Sequence, residues 1–143
     1  MKLFFKKYLN QVKNSKMFGK WYGRVAITES IGIEEIADKM QDNCTVKRAD
    51  ILAVLSELGP TVKDLLQDSK RVKIPYLGAF KLGISTSGAT SADEFTVGNI
   101  KNVKVMFQPE TVVSGGHRVK ELTRNVSIAE LPDYTRPSDE VEP

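Results

Sequence analysis

Residues 76–84 read YLGAFKLGI, a run that alternates like a β-strand except for a glycine at 78, two places before Phe80. Glycine inside a strand weakens it, so it marks a bulge, a bend or a close approach of another backbone. A charged turn, DSKRVKIP (68–75), precedes the run, and a polar stretch with few large side chains follows it. The fold turns on which molecule needs a glycine there.

Upstream, the apolar period is helical. In SIGIEEIADKM (30–40), Ile33, Ile36, Ala37 and Met40 share one face, and Glu34 and Glu35 occupy the first turn, where the helix dipole favours acids. Thr45 is placed to N-cap a second helix, VKRADILAVLSELGPTVKDLLQD. Its stripe of Ile51, Leu52, Leu55, Leu58, Val62, Leu65 and Leu66 continues in phase through Gly59-Pro60. An interior proline costs ~3 kcal/mol or more. One bent helix is therefore expected, not two.

After Asp68 the period changes to 2. RVKIPY (71–76), AFKLGI (79–84) and NVKVMF (102–107) read as strands, with a weaker candidate at EFTV (94–97). The polar segment 85–102 between the second and third is either a disordered loop or a protruding β-ribbon. Pro109 can open a last helix, which SGG (114–116) would interrupt and HRVKELTRN could resume.

The chain has 143 residues, 41% of them hydrophobic, which suits one modest domain with appendages. No stretch approaches the ~18 apolar residues of a membrane span. Lysines break up the apolar clusters near the N-terminus, unlike the apolar centre of a secretory signal. A lone cysteine, Cys44, fits a reducing compartment, so a cytoplasmic location is expected. The net charge of +3 conceals an uneven distribution. Residues 1–24 carry seven bases (Lys2, Lys6, Lys7, Lys13, Lys16, Lys20, Arg24) and no acid, whereas Glu130, Asp133, Asp139, Glu140 and Glu142 outweigh Arg136 in the tail. A basic, aromatic-bearing head points to a polyanion, nucleic acid or membrane surface. Catalysis is not expected. One histidine and one cysteine cannot make a familiar zinc site, Ser114 and His117 lack a third triad partner, and no phosphate or dinucleotide loop is present. Neither a cofactor, a metal nor a small-molecule substrate is implied.

Over roughly residues 31–120 the chain resembles the HU/IHF family of bacterial histone-like DNA-binding proteins. The resemblance is carried by KRADILAVLSELGPTVKDLL, SKRVKIPYLGAFKLG and VKVMFQPE, with Gly78-Ala79-Phe80 and Phe107-Gln108-Pro109 matching the family's Gly-x-Phe and Phe-x-Pro signatures. The lead FGKWYGRVAI is similar in particular to the N-terminally extended HU-like proteins of Bacteroides-type bacteria. The resemblance implies an α+β fold: two N-terminal helices under a three-stranded antiparallel sheet with a protruding β-arm, plus a basic extension. It divides the chain into a partly stranded extension (1–29), a DNA-binding domain (30–124) and a flexible acidic, Pro-containing tail (125–143). It also implies an intertwined homodimer with Leu52, Leu55, Phe80 and Phe107 in its shared core, and Gly78 where the sheet curves away from the helices.

By the same resemblance the function is architectural: non-enzymatic, nucleoid-associated binding and condensation of duplex DNA with little sequence specificity. In the family, arms rich in Arg and Lys track the minor groove and a proline wedge kinks the duplex. Here segment 85–102 has only Lys101 as a base, contains Asp93 and Glu94, and lacks proline. Gln108 and Gly83 stand where lysine and arginine are usual. The expected nucleic-acid contacts are therefore Lys70, Arg71, Lys73, Lys81, Lys101 and Lys104 on the sheet, with Lys6, Lys7, Lys13, Lys16, Lys20 and Arg24 in the head. The head has three readings: Phe4, Phe5, Tyr8, Trp21 and Tyr22 stack on nucleic acid, Phe5, Tyr8, Leu9 and Val12 line an interfacial helix, or the aromatics cover the core. The alternative function is an HU-like scaffold that has lost DNA binding and serves a protein or membrane surface.

Overall fold

The computed structural model describes residues 1–137. In chain order the elements are β1 (Leu3–Leu9), β2 (Trp21–Val25), α1 (Ile33–Gln41), α2 (Arg48–Gln67), β3 (Val72–Ile74), β4 (Gly78–Thr86), β5 (Ile100–Pro109), β6 (Thr111–Ser114), β7 (His117–Lys120) and β8 (Ile128–Glu130), with single 3-10 turns at Val97–Asn99 and Glu121–Thr123. They form two compact units: Met1–Gly32 with the segment from Asn125 onward, and Ile33–Arg124. Among the described residues no helix is long and apolar enough to cross a membrane.

In the second unit, α1 and α2 pack on each other, with Ala37 of α1 and Ile51 and Leu66 of α2 buried. Arg48, the first residue of α2, donates from Nε to Asp38 and from its guanidinium to Glu34, tying the start of one helix to the other. Thr45 does not cap α2. The cap position is Lys47, in extended backbone and without a side-chain cap, so the carboxylates on Arg48 replace the expected hydroxyl as the local anchor. The helix runs unbroken through Pro60, consistent with its in-phase apolar stripe.

β3, β4 and β5 form an antiparallel sheet in that order. The glycine at 78 belongs to a close backbone approach. Gly78 has φ +142°, and a Cβ on it would stand 2.2 Å from the Gln108 carbonyl oxygen and 2.9 Å from the Glu110 nitrogen. No L side chain fits that space. The approach sets the register, Gly78 opposite Pro109 and Phe80 opposite Phe107, so the two rings meet at 4.9 Å between centroids, tilted by 34°.

The first unit is a β-sheet. β1 pairs antiparallel with β2 and parallel with β8, giving the order β2-β1-β8. β1, LFFKKYL, has no period-2 pattern of its own; pairing on both edges, with β2 and β8, makes it a strand and not the helix considered for Phe5, Tyr8, Leu9 and Val12. Tyr8 faces Tyr22 across the ladder, ring centroids 6.1 Å apart.

The expected layout of two helices under one sheet with a β-arm and an appended extension is corrected in three places. The described residues hold eight strands in three small sheets, not one. First, the basic extension is strands β1 and β2, joined by β8 from the acidic tail; Asp139, Glu140 and Glu142 lie outside the described residues. Second, the last helix is replaced by the β6–β7 hairpin. Gly115 (φ 57°) and Gly116 (φ 80°) supply the two left-handed residues of a two-residue hairpin turn, and β-branched Thr111, Val112 and Val113 enter it. Third, no β-arm forms, because the β4–β5 ladder ends at a bulge by Ser85/Thr86, and EFTV is not a strand. Segment 87–99 turns instead on local side-chain bonds: Asn99 Oδ1 accepts from the Thr96 amide at 2.9 Å, and Asn99 Nδ2 donates to Ser87 Oγ at 3.3 Å. Short polar side chains that satisfy nearby backbone compete with ladder formation.

Gly78→Ala should destabilise the protein by about 3 kcal/mol or more, because both its φ and the facing carbonyl exclude a methyl group. Urea unfolding of the variant against wild type measures this, and a loss below about 1 kcal/mol would mean that β4 and β5 separate there at little cost.

Candidate nucleic-acid interface

Side chains alternate across a sheet, so the register assigns each strand residue a face. Opposed pairs Phe80/Phe107, Leu82/Val105 and Ile84/Val103 share one face with Val72, which stands opposite Phe80. Lys81/Met106, Gly83/Lys104 and Ser85/Asn102 share the other, with Lys73 and Gln108 on either side of Ala79. Lys73, Lys81 and Lys104, from three different strands, thus project from one face, and the apolar side chains from its reverse. Gly83 opens room on the lysine face: a Cβ there would meet Met106 Sδ at 2.7 Å, so the thioether lies across the strand beside Lys104.

The other expected contacts in this unit are Lys70, Arg71 and Lys101. Arg71 donates to Gln108 Oε1 at 3.3 Å, and Lys70 pairs with Asp68 at 3.3 Å. Lys73 Nζ lies 3.6 Å from Glu110, while Lys81, Lys101 and Lys104 have no ion pair among the described residues. Lys101 sits at the bulge that ends the ladder. Of the expected dimer-core residues, Leu52, Leu55 and Phe80 are half-buried in the single chain and Phe107 is 45% exposed.

The head divides into engaged and open cations. Lys6 Nζ donates to the Tyr134 carbonyl at 2.7 Å, and Lys7 pairs with Glu130 at 3.1 Å, so β8 and the segment after it occupy both. The Arg24 guanidinium stacks over the Tyr8 ring, 5.5 Å from its centroid. Lys13, Lys16 and Lys20, in the β1–β2 connection, are exposed and have no ion pair among the described residues.

Two structural residues carry no sequence signal of this kind. Glu110 accepts from the Tyr76 amide, whose residue has φ 67°, and approaches Lys73, while its backbone amide donates to the Leu77 carbonyl at 3.0 Å. It fastens the turn between β3 and β4 to the end of β5. Arg48 carries the clearest electrostatic perturbation: the hydrogen bonds it donates to Asp38 first and Glu34 second raise its pKa above the ordinary arginine value. Glu110 joins segments 34 residues apart, and Arg48 joins two consecutive helices across 10 and 14 residues. Among the described residues no cluster of three or more His, Cys, Asp or Glu side chains could hold a metal ion.

Two helices followed by a three-stranded antiparallel sheet, apolar on one face and basic on the other, define an HU-like domain. The family described as "HU domain fused to wHTH, Ig, or Glycine-rich motif" (HU-HIG) matches residues 1–124, and the chain belongs to it. Its structure is similar, with a TM-score of 0.52 at 17% identity, to a Bacteroides vulgatus protein provisionally named a bacterial DNA-binding protein. That likeness covers 90% of this chain and 50% of the other, so the chain spans half the length of that structure. No curated protein matches the chain.

Glu110→Ala should cost about 1–3 kcal/mol by leaving the Tyr76 amide without its acceptor. Glu110→Gln, which keeps an acceptor, should cost less. Equal melting temperatures for both variants and wild type would show that the turn holds without this residue.

Proposed function

We propose that this protein is a non-enzymatic, architectural DNA-binding protein that engages duplex DNA with little sequence preference, as a homodimer, in the nucleoid. The observation that carries the reading is the convergence of Lys73, Lys81 and Lys104 from three strands onto one sheet face. Lysines on a sheet meet phosphates as point charges, which gives affinity that is steeply salt-dependent and nearly blind to sequence. Arg71, Lys70 and Lys101 extend the same contact surface, and Lys13, Lys16, Lys20 and Arg24 add a second one in the head. The name of the Bacteroides vulgatus neighbour points the same way.

The homodimer rests on the reverse face of the sheet and on α2. Ile84, Val103 and Val105 are 55%, 57% and 67% exposed in the single chain, and Val54 on the long helix is 68% exposed. Covering that surface with a second copy completes a core that one chain leaves open. Asp93 and Glu94 in segment 87–99 favour a second reading, a scaffold serving a protein or membrane surface without DNA, because they would repel phosphates.

A gel shift with mixed-sequence duplex at low and high salt decides between the two. Replacing Lys73, Lys81 and Lys104 with glutamine should flatten the log–log salt slope by up to about 5.4 for the dimer, three contacts in each of two copies at about 0.9 per lost phosphate contact. An unchanged slope would remove this face from the DNA. Deleting residues 86–98 should change affinity by less than about tenfold, or ~1.4 kcal/mol. Light scattering should give a mass well above the 15.9 kDa chain, and a monomer mass would overturn the dimer.

A further inference from the structure

We infer that the tip of the β1–β2 hairpin is a DNA wedge, with Phe18 and Met17 entering between base pairs while Lys13, Lys16 and Lys20 hold the flanking phosphates. The inference rests on the proposed DNA binding and assigns it a bending element where segment 87–99 offers none.

The tip presents apolar side chains outward from an ordered frame. Met17 and Phe18 are 54% and 56% exposed, although an eleven-residue connection of this kind has room to fold them inward. Hydrogen bonds hold the frame at its base and around its tip. Asn10 and Lys20 bond across the base of the turn at 2.9 Å, Gly19 donates to the Asn10 carbonyl at 2.9 Å, and Phe18 donates to the Ser15 carbonyl at 3.1 Å. The Asn10 and Ser15 side chains accept from the Val12 and Met17 amides at 2.9 and 3.1 Å. Gly19 takes φ 78°, and Asn14 φ 67°. A turn held this way loses little conformational entropy on binding.

Charge selects the occupant. Residues 1–24 contain no acid, and Lys13, Lys16 and Lys20 are without ion pairs among the described residues. An apolar wedge between cations matches the chemistry of a minor-groove contact, where an inserted side chain unstacks a base step and bases neutralise the phosphates beside it. Segment 87–99 has the exposed Phe95 and Val97, but Asp93 and Glu94 adjoin them and would raise the cost of insertion. A membrane-inserting reading of the head relied on an amphipathic helix with Phe5, Tyr8, Leu9 and Val12 on one side, and Leu3–Leu9 is a strand.

The test uses the full chain and a short duplex carrying a fluorescent base analogue at its centre and an energy-transfer pair at its ends. Wild type should unstack the analogue and shorten the end-to-end distance. The double variant Met17→Ala/Phe18→Ala should lose both signals while its affinity falls by less than about tenfold, since the lysines remain. Phe18→Trp should retain the signals, and Phe95→Ala should behave as wild type. Far-ultraviolet circular dichroism checks the fold, which side chains more than half exposed should not disturb. If the double variant bends and unstacks as wild type does, or if wild type binds with no unstacking, the wedge is overturned while DNA binding stands. If wild type fails to bind duplex at any salt, the wedge and the function both fall. Burial of Trp21 fluorescence on anionic vesicles, with none on duplex, would overturn the wedge in favour of a membrane contact.

Discussion

At Gly78 the backbone of β4 comes so near that of β5 that even a methyl group would overlap the Gln108 carbonyl. Most of what the second unit presents follows from that approach. It locks Gly78 opposite Pro109, and because side chains alternate, every later pair along β4 and β5 is then assigned a face. A slip by one residue would send Phe80, Leu82 and Ile84 to the lysine side and Lys81 to the apolar one. The Glu110 bonds to the Tyr76 amide and Leu77 carbonyl lie on the same side of the turn and hold it at the register Gly78 permits. The position is thus a positional requirement for the basic surface, although it touches no charge itself.

The second unit keeps little of its apolar surface from water. Its buried apolar side chains are Ala37, Ile51, Leu66 and Ala79, small or few, against a long helix and a sheet face that remain exposed. A core of that size stabilises a chain weakly, which is the physical ground for the proposed homodimer. The Phe80–Phe107 contact lies at the edge of that uncovered surface, one ring half-buried and the other nearly half exposed.

Charge follows a different economy in the two units. In the sheet, Lys73 is moderated by Glu110 and Lys70 by Asp68, while Lys81, Lys101 and Lys104 stay open. In the head, Glu130 and the Tyr134 carbonyl engage Lys7 and Lys6 on β1, so the open cations move outward to the turn. Exposed ion pairs of this kind are individually weak, so they direct charge more than they stabilise the fold. The family membership concerns residues 1–124, and the strand that completes the head sheet, Ile128–Glu130, comes from just beyond them.

The sequence by itself determined the elements whose signals are local. The 3.6-residue stripes of α1 and α2, the period-2 runs of β3, β4 and β5, and the two motifs Gly78-Ala79-Phe80 and Phe107-Gln108-Pro109 were all readable, because periodicity and glycine placement act within a few residues. The family followed from their order. Tertiary structure alone decided the rest. Whether LFFKKYL became helix or strand depended on partners at Trp21–Val25 and Ile128–Glu130, one of them more than a hundred residues away. Whether Pro109 opened a helix depended on the two left-handed glycines that let β6 and β7 pair. Which lysines were open depended on acids and carbonyls brought up by folding. The β1–β8 pairing and the Lys7–Glu130 ion pair are long-range choices, and no short window of the chain contains both members of either.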